Sequence, residues 1–166
     1  MHEPTQFDGG IPVPGVQGVD HTADIGLQIR APDLPELFGR AALATSWLVL
    51  GRVPEMAPPP GDERGEMIRK NVELAEEDLS SLLRSWLRMV LLWDDSEGFV
   101  VTGTRLILLP TPLCGPPDGQ AFGVTGRVEG RLDEGPRIRE IKGVTFHGLK
   151  VEKVEEGWLA VVIFDV

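Results

Sequence analysis

The sequence predicts an α+β fold of one domain, with two helices packed on a mixed or antiparallel β-sheet, and three observations predict it. Two segments carry apolar residues at helical spacing, and both lie in the first part of the chain. The remainder reads as successive alternating runs with no helix between them, the order that distinguishes α+β from βαβ architecture. The length of 166 residues, with 42% apolar and 25% charged residues, suits a single core.

Taken in order, residues 1–17 read as a flexible leader, since Pro4, Gly9, Gly10, Pro12, Pro14 and Gly15 favour turns over core elements. The domain then spans 18–166. Ile25, Leu27 and Ile29 alternate with Gly26, Gln28 and Arg30, the period of a strand with one buried face. Asp33-Leu34-Pro35-Glu36 marks a helix start: Asp33 is the N-cap, proline is tolerated in the first turn, and Glu36 is placed to close a capping box. Leu37, Phe38, Ala41, Ala42, Thr45 and Leu48 form the stripe that faces the sheet.

Val53 to Gly65 holds four prolines and is expected to be a loop. Ile68, Val72 and Leu74 follow as a strand, placed at an edge because Lys70 shares their face. Asp78 caps a second helix whose stripe is Leu79, Leu82, Leu83, Trp86, Leu87, Val90 and Leu91. Asp94-Asp95-Ser96-Glu97-Gly98 reads as a turn. Strands are then expected at Phe99–Thr102, Arg105–Leu109, Ala121–Leu132, Glu140–His147, Leu149–Val154 and Trp158–Val166. Thr111–Gly119 is a Gly/Pro-rich loop, and Glu155-Glu156-Gly157 turns the last pair into a hairpin.

Charge and composition limit the function. Sixteen basic against 26 acidic residues give a net charge of −10, whereas nucleic-acid affinity depends on Lys and Arg displacing counterions from phosphates. Direct RNA binding is not expected. No run approaches the roughly 18 apolar residues of a membrane span, and the first residues lack a signal-peptide layout, so the expected location is cytoplasmic. The one cysteine, Cys114, rules out an internal disulfide and sits in a loop with nothing to activate its thiol. The chain lacks the Cys/His set of a structural zinc site, the Gly-x-Ser-x-Gly elbow and the Walker phosphate loop.

Three constellations remain. Asp20-His21-Thr22-Ala23-Asp24 concentrates ionisable groups at the head of a strand, where alternation puts Asp20 and Asp24 on one face. In an arbitrary protein the commoner arrangement is a turn, with Asp20 and Thr22 bonded to local amides and His21 a satisfied imidazole. At the other end the apolar run Trp158–Phe164 leads directly into Asp165 and the α-carboxylate of Val166. Two negative groups there call for water, a nearby cation or raised pKa values, and a hard cation such as Ca²⁺ or Mg²⁺ would meet the need; a frayed, solvated end is the usual alternative. The third segment is Glu140–His147, in which Glu140 and Lys142 share a face and His147 is the remaining histidine outside the leader and His21.

Asp20-His21-Thr22-Ala23-Asp24-Ile25-Gly26, Leu37-Phe38 with Ala41-Ala42, Asp78-Leu79 with Leu82-Leu83 and Trp86-Leu87, Ile141-Lys142 with Val144-Thr145-Phe146-His147, and Ile163-Phe164-Asp165-Val166 together resemble the archease family, in order and from about Gly18 to the last residue. The resemblance implies a non-enzymatic activator of the GTP-dependent tRNA-splicing RNA ligase, which joins 2′,3′-cyclic-phosphate or 3′-phosphate ends to 5′-hydroxyl ends. It also implies a metal site at Asp24, Asp165 and Val166, with calcium the usual cation and magnesium or manganese as alternatives. Asp20, His21, Lys142 and His147 then become candidates for supporting the ligands or facing the partner. This chain departs from the family pattern at Phe146, where tyrosine is common, and at Gly143, where alanine is common. A family Gly-Glu step and a later histidine also lack a counterpart between Gly126 and Arg139.

Two other classes compete. A metal-dependent phosphoester hydrolase would use Asp20, Asp24, Asp165 and His21 with a metal-activated water, and would turn over without a partner. A chaperone-like binding module would bind unrelated unfolded chains without a metal requirement.

Overall fold

The alternation of Ile25, Leu27 and Ile29 forms strand β2 (Ile25–Ala31), whose inward side chains are fully or almost fully buried. In this computed structural model, which describes residues 10–19, 24–52, 66–111 and 121–166, β2 pairs antiparallel with β8 (Gly157–Asp165), from Ile25↔Phe164 to Ala31↔Trp158. The apolar run before Asp165 is thus a central strand. Strand β1 (Val16–Val19) lies on the other edge of β2. The far edge of β8 is shared by β7 (Lys150–Val154) and the short β6 (Gly143–Val144). A second sheet has the order β3 (Ile68–Glu76), β5 (Ala121–Leu132), β4 (Phe99–Thr111). Every described ladder is antiparallel, which settles the choice left open between mixed and antiparallel pairing. As expected from Lys70, β3 is an edge strand.

Helix α1 (Leu34–Leu50) begins at Asp33, whose Oδ1 accepts the Glu36 N–H at 2.9 Å. The reciprocal half of the expected capping box is replaced. Arg40 is anchored on the Arg30 carbonyl at 2.7 Å and takes the Glu36 carboxylate at 2.9 and 3.2 Å, a charge-assisted contact stronger than a neutral cap bond. Helix α2 (Leu79–Glu97) begins at Asp78, which accepts the Ser81 N–H at 2.7 Å.

Asp94–Glu97, expected to turn, is the last turn of α2. Three acidic residues at a helix C-terminus oppose the macrodipole, but Arg137 holds Asp94 at 2.6 Å and Lys70 holds Glu97 at 2.8 Å. Gly98 then ends the helix at φ 70°, a left-handed geometry that glycine adopts without a Cβ penalty, and returns its N–H to Asp94 O.

The stripes of both helices meet the two sheets in one core that includes Leu27, Phe38, Leu48, Trp86, Phe99 and Phe164. Each such side chain contributes about 1.5–3 kcal/mol by leaving water. Trp86 ties the helices directly, its indole N–H donating to the Phe38 carbonyl at 2.9 Å. No described helix is long and apolar enough to cross a membrane.

Three further expectations change. The runs at 99–102 and 105–109 join into the single β4, because a register shift between Val101 and Gly103 absorbs Thr102 as a bulge. Of Glu140–His147, only Gly143 and Val144 enter a ladder. The preceding stretch is held instead by the Ile138 N–H on Val49 O at 2.9 Å and by Arg137, and the chain turns after Thr145. The leader boundary also shifts: β1 already includes Val16 and Gln17, Val13 and Val16 are buried, and the Arg30 N–H donates to Gly15 O at 2.9 Å. Residues 1–9, the loop expected at Val53–Gly65, and Cys114 with its neighbours at 112–120 lie outside the described residues.

Candidate functional site

The register of the central pair builds the site. Ile25 lies opposite Phe164, so the next antiparallel step brings Asp24 opposite Asp165 at the end of the sheet. Residues directly opposite in such a pair project to the same face within side-chain reach. On the other side of β8, Gly143 lies opposite Asp165, and the Lys142 N–H donates to the Asp165 carbonyl at 2.8 Å. One step further brings Lys142 opposite Val166. Asp165, Val166 and Lys142 are exposed and Asp24 is half-buried.

Gly26 explains how the strands come close enough. A Cβ at this position would sit 3.0 Å from the Val19 carbonyl and 3.1 Å from Ile163 Cδ1, tighter than ordinary packing. A side chain there would push β1 and β8 apart next to Asp24.

The structure therefore brings together Asp24, Asp165, Val166 and Lys142 from segments distant in sequence. His147 sits outside this row, in the turn after β6, where its carbonyl accepts the Thr145 hydroxyl at 3.2 Å. Asp20 and His21 lie outside the described residues. The donor set fits a hard cation by its chemistry: the Asp24 and Asp165 carboxylates are oxygen ligands at an open strand end. Among the described residues, no group of three His, Cys, Asp or Glu side chains gathers at one point.

Two supports of this region had no signal in the sequence. Arg84, on α2, stacks on the exposed Phe146 ring with its guanidinium 4.0 Å from the centroid, and its Nε donates to Val144 O at 2.8 Å. The second lies upstream, where Asp133 is nearly buried and accepts from Arg52 at 2.6 Å and from the Gly135 N–H at 2.8 Å. Arg137 in turn bonds the Asp133 and Gly135 carbonyls at 2.6 and 2.7 Å. These bonds pin the stretch leading to β6 against the ends of both helices. The Arg84–Phe146 and Arg52–Asp133 pairs could not be found from spacing, because their partners lie far apart in the chain.

Burial alone would raise the Asp133 pKa, but the Arg52 and Gly135 hydrogen bonds and the charges of Arg52 and Arg137 outweigh it and hold the carboxyl below its usual 3.8. A depressed folded-state pKa contributes stability that is full above the unfolded value and lost as pH falls through the folded one. Asp133→Asn is therefore expected to destabilise the protein by about 1–3 kcal/mol at neutral pH. The deficit should shrink as the pH is lowered below about 3.8. Urea unfolding of both proteins at neutral and acid pH checks this, and a deficit that stays constant with pH would contradict it.

Comparison with known proteins agrees with this architecture. The model of the Archease protein family (MTH1598/TM1083) matches residues 17–166. Protein archease of Archaeoglobus fulgidus is 28% identical over 151 residues, covering 89% of this chain and 96% of that protein. Protein archease of Thermococcus kodakarensis is 31% identical over 148 residues, with coverage of 89% and 95%. The solution structure of Methanobacterium thermoautotrophicum protein 1598 superposes with a TM-score of 0.70 at 28% identity, covering 92% of this chain and 99% of that one. A match from the first sheet strand to the last residue, in sequence and in fold, means that this chain belongs to the archease family.

Proposed function

We propose that this chain is a metal-binding, non-enzymatic protein cofactor that activates a GTP-dependent tRNA-splicing RNA ligase, promoting its guanylylation and turnover. The observation that carries the proposal is the register that sets Asp24 across from Asp165 beside Val166 and Lys142, in a chain of the archease family. A divalent cation, calcium first and magnesium or manganese as alternatives, would supply the positive charge that lets three carboxylates share one strand end. The chain's own residues do the positioning: β8 carries Asp165 and Val166 forward from the core, and the Lys142 N–H fixes the Asp165 backbone. The net charge of −10 suits encounter with a basic, RNA-handling partner and disfavours direct contact with RNA.

The direct test is a ligase guanylylation assay with GTP, with and without this chain and with and without divalent cation. Stimulation that needs both supports the proposal. Phosphoester turnover by the chain alone would replace it with the hydrolase reading. Tag placement gives an independent check on Val166. A C-terminal extension turns the α-carboxylate into a neutral amide, so it is expected to weaken cation affinity and ligase activation together, whereas a tag before Met1 leaves both unchanged. Equal behaviour of the two tagged proteins would remove Val166 from the ligand set.

A further inference from the structure

The outward face of the β3-β5-β4 sheet carries an arrangement that the site at the end of β2 and β8 does not use. Arg105 on β4 lies directly opposite Arg127 on β5, and both are exposed. Like charges directly opposite each other destabilise an antiparallel pair. Among the described residues, neither guanidinium has a carboxylate partner, while the nearby Arg69 is tied to Glu129 at 3.4 Å. Two arginines side by side with no carboxylate partner among the described residues are conspicuous in a chain of net charge −10. Further along the same face of β4, Ile107 and Leu109 are 55% and 50% exposed, opposite Thr125 and Gly123, which offer little or no side chain to cover them.

We infer that this face docks an extended, acidic segment of a partner protein, its carboxylates on Arg105 and Arg127 and its apolar side chains on Ile107 and Leu109. The spacing suits such a ligand. Alternate residues of β4 stand about 7 Å apart, the repeat at which an extended peptide presents side chains to one side. A nucleic acid does not fit, because the apolar half of the face at Ile107 and Leu109 offers a phosphate backbone nothing. The edge of β4 is closed by α1 at Val101, whose N–H donates to Ser46 Oγ at 3.1 Å, so the docking surface is the sheet face and not the strand edge there. The inference is independent of the cation site.

Fluorescence anisotropy with a labelled Glu-Leu-Glu-Leu-Glu-Leu peptide tests it, with the corresponding Lys-Leu peptide and oligothymidylate as comparisons. The acidic peptide is expected to bind most tightly, to weaken with salt, and to lose about tenfold or more in affinity on Arg105→Glu plus Arg127→Glu. Arg105→Glu alone replaces a repulsive pair by an attractive one. It should raise Tm by roughly 1–3 °C while weakening the peptide, a combination that loss of folding cannot produce. Undetectable binding of the acidic peptide, equal binding by the double variant, or tighter binding of either comparison ligand would overturn the inference.

Discussion

Asp24→Asn is expected to abolish cation-dependent activation of the ligase and to lower divalent-cation affinity by about tenfold or more, while circular dichroism and Tm without cation stay near wild type. The substitution keeps the shape of the side chain and removes one negative charge from a set of three carboxylates, and affinity at oxygen sites follows ligand charge. Each tenfold corresponds to ~1.4 kcal/mol of binding. The fold is spared because Asp24 precedes β2, whose ladder with β8 starts at Ile25↔Phe164. Isothermal titration with calcium and a guanylylation assay measure the two losses separately. Full activation by a folded Asp24→Asn protein would take Asp24 out of the site, whereas lost activation at unchanged cation affinity would make it a partner contact.

Trp86→Ala is expected to cost about 3–5 kcal/mol and to lower Tm by roughly 10 °C or more. Trp86 is fully buried, meets Trp93 edge-on with ring centroids 6.1 Å apart, and bonds the Phe38 carbonyl of the facing helix. Alanine leaves a cavity between α1 and α2 and removes the second hydrogen bond on the Phe38 carbonyl, which keeps its helical one. Against a total stability of about 5–15 kcal/mol, such a loss brings the domain close to unfolding at physiological temperature. Trp86→Phe separates the two contributions, since it keeps most of the ring and loses the donor, at about 0.5–1.5 kcal/mol. Leu92→Ala on the same helix, at a side chain 60% exposed, should stay within about 0.5 kcal/mol. Chemical denaturation of the three variants checks the order, and a Trp86→Ala loss no larger than that of Leu92→Ala would contradict the packing.

Near-neighbour chemistry made both helix starts legible in the sequence. Asp33 and Asp78 each accept an N–H three residues ahead, so the cap and its partner lie within one turn. The apolar stripes of α1 and α2, the alternation of β2, the hairpin at Glu155-Glu156 and the apolar run of β8 are likewise periodicities of short segments, which local geometry imposes whatever the surroundings. Glu36 and Asp94–Glu97 show where this stops. Their local patterns suggested a reciprocal cap and a turn, and ion pairs to Arg40, Arg137 and Lys70 determined otherwise.

The site divides along the same line. Asp24 and Asp165 were visible as carboxylates in unusual settings, and the family resemblance linked them as ligands, but residue pattern alone favoured a turn and a frayed end. What sets the two across from each other is the β2–β8 register, a ladder between segments more than a hundred residues apart. The irregular path of Arg137 to Lys142, the Arg84–Phe146 stack and the opposed Arg105 and Arg127 also exist only once distant segments pack. The sequence by itself determined which segments become helix or strand and which face of each is apolar, because those depend on side chains a few positions apart. Only the tertiary structure decided which charges meet, because pairing between strands and bonds from long arginines depend on where the core places whole elements.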